Sequence, residues 1–297
     1  MADLRLNDGA LAFSGNGSVI VVGIVRDIEK SFNRDFQRLS MALKRFSRID
    51  WHVVESGSKD SSLDVLEAYA NERDNFSYKH LEHQSQLSRT ENMAIARNSY
   101  LDYLRADLRF LEYEYVIMAD FNDLNNKLTA TAIESCFDHD SWDVLTANQQ
   151  GRYYDVWALR HPLWSPNDCW EQHAFYRKYT KFPETAITFS MRSRMLRIPS
   201  NSELIEVDSA FGGFAIYKSS VFKSKASYLG ITDEYKPVCE HVPFHSKLKA
   251  EGARIFINPA LINTRITDHS RQLSPLFILL RICRYPFSFI MKYSPNA

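Results

Sequence analysis

The sequence has four cysteines, Cys136, Cys169, Cys239 and Cys283, and no two lie close enough to form a C-x-x-C pair. That spacing excludes a zinc finger, a thioredoxin-type redox motif and a disulfide scaffold. Reduced, buried thiols in a reducing compartment are expected instead. Glycine and proline are scarce, ten of each in 297 residues, which removes collagen-like and low-complexity architectures. Net charge is lacking too: 36 Lys and Arg stand against 36 Asp and Glu, so nothing global attracts nucleic acid. The N-terminal MADLRLNDGALAFSGNG has no apolar core of the kind a secretory signal needs. A cytoplasmic protein with no nucleic-acid partner is expected.

What remains is an ordinary globular composition, 45% hydrophobic and 24% charged, in a chain long enough to bury a core without staples. Aromatics are plentiful, with 15 Tyr, 19 Phe and 5 Trp; they suit a large core and a flat ligand to stack on.

From Ser18 onward, strand and helix patterns alternate. SVIVVGIV is a continuous β-branched run, the mark of a fully buried strand. Phe32, Phe36, Leu39, Leu43 and Phe46 recur at helical steps within Ile28 to Phe46. DWHVVE and FSYKHLEH read as strands around a helix from Ser62 to Tyr69, with Ser61 or Ser62 as its cap. Met93, Ile95, Ala96, Tyr100, Leu101 and Leu104 give a helix over Thr90 to Leu108, and YEYVIMAD is a strand ending at an acid. The second half offers WDVLTANQ, an aromatic stretch from Tyr153 to Trp170, a strand at Gly213–Tyr217, a helix at Val242–Ala250 and a strand at Ala253–Ile257. The alternation predicts an α/β protein with a mostly parallel sheet flanked by helices. In such sheets ligands sit beyond the carboxyl ends of the strands. That directs attention to Arg26-Asp27, Glu55 to Asp60, Gln84 to Arg89 and Asp120 to Asn126.

Asp120-Phe121-Asn122-Asp123 follows VIMA directly. Clustered oxygens there suit Mg²⁺ or Mn²⁺, which take one or two carboxylates plus phosphate oxygens, although an Asx-rich turn accounts for the same residues. Glu55-Ser56-Gly57-Ser58-Lys59-Asp60-Ser61 joins small residues to acids that accept from a base or ribose; a simple strand-to-helix connection reads the same way. Glu240, ahead of Pro243, is either a general base toward a hydroxyl or a first-turn acid favoured by the helix dipole. Asp208 precedes the Gly212-Gly213 pair, where a ligand can approach the backbone.

Together these motifs resemble the GT-A glycosyltransferases. The E-S-G-S-K-D-S-S turn, the helix carrying Arg97-Asn98, the D-F-N-D cluster, FGGFAIYK and CEHVPFHSKLKAEGARIFINPAL fall in that family's order, over about Ser18 to Asn263. QGRYYDVWALRH is further similar to bacterial and fungal polysaccharide glycosyltransferases of capsule or lipopolysaccharide synthesis. The resemblance implies a GT-A (Rossmann-like) domain at 18–270, with a nucleotide-binding half at 18–126 and an acceptor half at 127–270. It implies a nucleotide-sugar donor, a glycan or lipid-linked glycan acceptor, and Mn²⁺ or Mg²⁺. Nucleotide contacts would come from Arg26, Glu55, Ser56, Arg97 and Asp120. Metal ligands would be Asp120, with Asn122 or Asp123, and His269 in TDHS. Catalysis would fall to Glu240 or, second, Asp208; His241 stands where the family's second acid usually lies. Tyr154, Asp155, Trp157 and His241 would contact the acceptor, with Tyr153 and Trp164 in the same aromatic platform. A metal-dependent phosphoesterase and a non-catalytic glycan-binding protein are the competing readings.

The last segment, 271–297, contains Leu276 to Met291, apolar and aromatic but interrupted by Arg281, Arg284 and Pro286. It falls short of the roughly 20 apolar residues that span a bilayer. It suits peripheral contact with an anionic membrane or a last helix packed on the domain.

Overall fold

A computed structural model describes residues 17–106, 112–121 and 123–265. The first apolar run forms β1 (Ser18–Val25), which pairs in parallel with β2 (Arg48–Ser56) on one side and β4 (Tyr115–Ala119) on the other. Outside β2 lies β3 (Phe76–Leu81), also parallel. The helices α1 (Phe32–Ala42), α2 (Ser62–Glu72) and α3 (Arg89–Ala106) make the crossovers. Beyond β4 the chain adds α4 (Ala130–Glu134), β5 (Val144–Gln149), α5 (Cys169–Tyr179), α6 (Pro183–Ser190), β6 (Ile205–Glu206), β7 (Phe214–Lys218), α7 (His241–Ala250) and β8 (Ile255–Thr264). The eight strands form one sheet in the order β3-β2-β1-β4-β7-β5-β8-β6. Antiparallel β7 lies between β4 and β5, and β6 closes the far edge. This is the mostly parallel, helix-flanked α/β sheet expected from the sequence.

The two faces of the sheet are buried differently, as the two-residue period of a strand requires. Ile20 and Val22 of β1 join Tyr100, Leu104, Met118, Tyr228 and Phe244 under α3 and α7. Val19 and Val21 join Phe32, Leu39 and Phe121 under α1. Each such side chain stabilises the fold by roughly 1.5–3 kcal/mol on burial, so a polar residue at any of these positions of β1 has no tolerable face.

The order reverses at β1: the chain runs outward through β2 and β3, then returns to β4 on β1's other side. A crevice opens at such a switch point, beyond the strands' carboxyl ends. The two strands approach closely there. A Cβ on Gly23 would lie 2.3 Å from the Ala119 carbonyl oxygen and 2.8 Å from the Phe121 ring.

Several boundaries differ from the sequence pattern. The first helix starts at Phe32, because residues 28–31 form a turn tied to the β2 loop. In α3, Ile95 is exposed while Arg97 is buried, so the face is rotated toward a polar interior. The last strand continues past Ile257 to Thr264, although Pro259 interrupts it. Proline lacks an N–H, and the β5 register breaks on both sides of Asn148, where Asn148 Nδ2 donates to the Pro259 carbonyl at 2.9 Å. The aromatic stretch is not wholly irregular, since α5 begins at Cys169 and α6 follows. Cys136, Cys169 and Cys239 are buried free thiols, as expected. No helix among the described residues is long and apolar enough to cross a membrane.

Candidate active site

The loop after β1 and the loop after β2 are bonded to each other. The Asp27 amide donates to Ser58 Oγ at 2.8 Å, and the Lys59 amide returns a bond to Asp27 Oδ1 at 2.8 Å. The Ile28 amide donates to Ser62 Oγ at 2.7 Å, and that of Glu29 to Asp60 Oδ2 at 3.1 Å. Two left-handed residues allow this, Asp27 (φ 52°) and Gly57 (φ 65°); Asp and Gly are the types that adopt that region most readily. Glu55 is fully buried and works inside the loop. Its Oε1 accepts from the Ser58 amide and its Oε2 pairs with His80 Nδ1, each at 2.5 Å. Glu55 therefore shapes the loop after β2 from beneath. Ser56 is buried at the end of β2, and Arg26 lies half-buried beside Asp27.

Asp120 leaves β4 at the switch point. Its amide donates to the Gly213 carbonyl at 3.0 Å, and its own carbonyl accepts from Asn125 Nδ2 at 2.7 Å. Asn263, at the end of β8, donates to Asn125 Oδ1 at 3.0 Å and to the Gly212 carbonyl at 2.8 Å. The glycine pair has left-handed φ values of 71° and 87°. A Cβ on Gly212 would stand 2.9 Å from the Ala147 carbonyl. The FGGF segment thus turns its carbonyls inward to hold the Asp120 peptide, and its Gly212 amide donates to Asp155 Oδ2 at 2.9 Å.

Arg97 gathers the acids. It is buried in α3, donating from Nε to Glu240 Oε1 at 2.8 Å and from Nη1 to Tyr100 Oη at 3.1 Å, with Nη2 3.6 Å from Asp120 Oδ1. Its guanidinium also lies over the rings of Phe211 and Tyr228, at 5.0 and 5.7 Å. Burial opposes its charge, yet Tyr100, Glu240 and Asp120 hold it well above the usual arginine range. Asp120 is pushed up to about 6 by burial and by Glu240 and Asp155, against the pull of Arg97. Asp155 is raised likewise, by burial first and by Glu240, with the Gly212 amide opposing. Asp120 and Glu240 thus flank one guanidinium, while Asp155 is held by the Gly212 amide.

The acceptor candidates divide. Trp157 Nε1 donates to Asp168 Oδ2 at 3.0 Å, beside Arg160 Nη2 at 2.8 Å, while Asp168 Oδ1 caps α5. Tyr154 is half-buried, its Oη 3.1 Å from where a Gly213 Cβ would be. Tyr153 is fully buried in the core, and Trp164 donates its Nε1 to the Arg194 carbonyl at 2.7 Å. His241 is buried, stacked on Phe211 at 4.0 Å, and neither ring nitrogen has a hydrogen-bond partner among the described residues.

Two predicted acids lie apart from this group. Asp123 (φ 58°) turns toward α1, where it pairs with Arg38 and, at 3.4 Å, with Arg34. Asp208 pairs at 3.0 Å with Lys249 and is half exposed. Asn122, His269 and the 271–297 segment lie outside the described residues. Sequence reasoning missed Phe211, Tyr228, Asn125 and Asn263 as supports. The glycine pair next to Phe211 was the one available signal.

No protein-family model matches this chain, and no curated protein matches it significantly. Solved structures are similar to it at low identity. One is S. aureus TarS 1–349, at 16% identity and TM-score 0.44, with 81% of this chain and 57% of that one covered. Another is the mannosyltransferase PcManGT from Pyrobaculum calidifontis in complex with GDP-Man and Mn²⁺, at 11% identity and TM-score 0.43, covering 92% and 62%. A third is glucosyl-3-phosphoglycerate synthase from Mycobacterium tuberculosis in complex with UDP, at 12% identity and TM-score 0.41, covering 92% and 78%. The chain spans less than two thirds of the length of the first two.

For a divalent cation the donor chemistry fits in part. Asp120 offers a carboxylate destabilised as an anion by its neighbours, and such a group gains from a bound cation. Asp123 is committed to Arg34 and Arg38, and no group of three or more His, Cys, Asp or Glu poised for a metal exists among the described residues. A site built from Asp120 and the phosphate oxygens of a ligand suits Mg²⁺ or Mn²⁺, which bind through few protein groups.

Proposed function

We propose that this chain is a glycosyltransferase that moves a sugar from a nucleotide diphosphate donor to a hydroxyl of a glycan acceptor in surface polysaccharide synthesis. The observation that carries this reading is the convergence of Asp120 and Glu240 on Arg97 at the switch point. UDP-sugars are the favoured donors and GDP-mannose the second choice. The loops at 26–29 and 57–62 would receive the base and ribose. Mn²⁺ or Mg²⁺, held through Asp120, would supply Lewis-acid stabilisation of the leaving diphosphate.

Arg97 positions the reaction's acids. Its bond to Glu240 Oε1 fixes that carboxylate against the cleft. In the inverting form of the reaction, Glu240 takes the proton of the acceptor hydroxyl as its oxygen bonds to the anomeric carbon. The bond to the diphosphate oxygen breaks with its electron pair leaving on the diphosphate. Asp208, paired with Lys249, is the second candidate for the base.

A panel of UDP-, GDP- and CMP-sugars, with and without Mn²⁺, tests this by thermal shift and by donor hydrolysis. Stabilisation by a nucleotide diphosphate sugar is the expected result. No response to any of the donors overturns the reading, and undiminished activity of Asp120→Ala removes the metal assignment.

A further inference from the structure

The described residues expose eleven large apolar side chains, and seven of these fall between Leu163 and Leu196. The cause is the helical hairpin of α5 and α6. In α5 only Cys169 is buried, and in α6 only Ala186 and Ser190. The buried cluster beneath them consists of Val156, Cys169, Met191 and Met195. The outer face is aromatic instead: Phe175 is 57% exposed, Tyr179 75% and Phe182 61%. These are not isolated rings. Phe175 lies 5.0 Å from Tyr179, and Tyr176 bridges Phe175 to Phe189 at 5.9 Å on each side.

Cations are interleaved with the rings. Residues 169–197 hold six Lys and Arg against two Glu, in a chain whose net charge is zero. Both glutamates are paired, Glu171 with Lys236 at 3.9 Å and Glu184 with Arg192 at 2.7 Å. Arg177, Lys178 and Lys181 are exposed and form no ion pair with the described residues. An apolar face that leaves basic groups unneutralised fits an anionic surface that also accepts rings. Lipid headgroups do both, since aromatic side chains settle at headgroup depth while Lys and Arg meet the anionic charge. The segment 276–291 has the same combination of rings with Arg281 and Arg284. Laid on the hairpin it would bring like charges together, whereas one anionic surface serves both.

We propose that the outer face of the α5–α6 hairpin docks on an anionic lipid surface. Asp168 joins this face to the site, capping α5 with one oxygen and holding Trp157 and Arg160 with the other. Docking would present the acceptor side of the cleft to the membrane. The proposal does not depend on the transferase reading, because lipid binding is measured without any donor.

The test is sedimentation of the full chain with phosphatidylglycerol–phosphatidylcholine vesicles and with phosphatidylcholine vesicles. Binding to the anionic vesicles alone, weakened by salt, is expected. Arg177→Glu with Lys178→Glu and Lys181→Glu should weaken it by at least 100-fold, since each basic residue near the surface contributes about 1 kcal/mol and each is replaced by an acid. Phe175→Ser with Tyr179→Ser and Phe182→Ser should also weaken it by at least tenfold, with the urea transition of both variants unchanged. Should either triple variant perturb folding, Lys178→Glu and Phe182→Ser alone provide the same comparison. Failure of the parent chain to bind, or parent-like binding by the variants, overturns the proposal. So does a variant that changes only the oligomeric state, which would assign the face to a second copy of the chain.

Discussion

Arg97 and Glu240 stand 143 positions apart in sequence, and a single bond of 2.8 Å from Nε to Oε1 joins them inside the protein. The same guanidinium lies 3.6 Å from Asp120. One buried cation therefore sets the position of the acid from the sheet relative to the acid from the last helix.

Arg97→Met should destabilise the fold by about 3–5 kcal/mol, because it strands a buried carboxylate without its partner. Urea unfolding measures this. Glu240→Gln combined with Arg97→Met should cost less than the two changes added together, since they share one interaction. Strict additivity would mean the bond contributes nothing.

Glu240→Gln should lower kcat by roughly 10²–10⁴-fold if that carboxylate is the base. Asp208→Asn should leave kcat within about twofold, the range of a surface pair. Steady-state kinetics of both variants with one donor separates the two candidates. The opposite ranking would move the base to Asp208.

The pH dependence follows from Asp120, whose carboxyl is raised to about 6. It is protonated below that value and charged above it. Metal-supported donor binding should therefore rise as pH increases through about 6, and Asp120→Asn should abolish the step. Its effect on stability has the opposite sign. A carboxyl raised above its unfolded value stabilises the fold at low pH, and that contribution is lost as pH climbs through about 6. Calorimetric titration of nucleotide with Mn²⁺ from pH 5 to 7.5 reads the binding arm.

His245 moves stability the other way. Burial, and then Arg97, lower it to about 3, and its ring nitrogens are held by Ser209 Oγ at 3.0 Å and Tyr217 Oη at 2.8 Å. The neutral imidazole contributes fully above its unfolded value of about 6.5, and its contribution falls progressively as pH drops from there toward 3. Acid unfolding curves of His245→Gln should be flatter over this window than those of the parent chain. An unchanged slope would show that this imidazole does not drive acid loss.

Gly212→Ala should destabilise by more than about 1 kcal/mol, whereas at a compatible position the same change stabilises by up to about that much. The residue has φ 71°, and an added Cβ would stand 2.9 Å from the Ala147 carbonyl. The backbone shift that this Cβ forces should strain the amide bond to Asp155 and depress donor turnover as well. Circular dichroism melts and turnover of the same preparation check both parts.

Local pattern is enough to read β1, α1 and the acid at the end of β4, because β-branched runs and helical steps report burial directly. Asp120 was legible for the same reason, since the apolar strand stops at it. Asp155 was visible as a polar residue but not as a like-charged neighbour of Asp120, because a glycine amide 57 positions away completes its setting. The rings of Tyr153, Tyr154, Trp157 and Trp164 read as an acceptor platform, since composition does not distinguish an exposed aromatic from a buried one. Asp123 stood beside Asn122 as the alternative ligand, and its left-handed backbone directs it toward Arg34 and Arg38. Glu55 was placed on the nucleotide because it ends a strand, whereas its oxygens are taken by the Ser58 amide and by His80.

The five bonds between residues 27–29 and residues 58–62 have a consequence for how a ligand would be received. They tie two separate connections into a single preset edge, so the conformational entropy of both is lost when the chain folds and not when a molecule arrives. Loosening the tie with Ser58→Ala, which removes one of these bonds, would then leave the contacts of an arriving molecule intact and slow its capture.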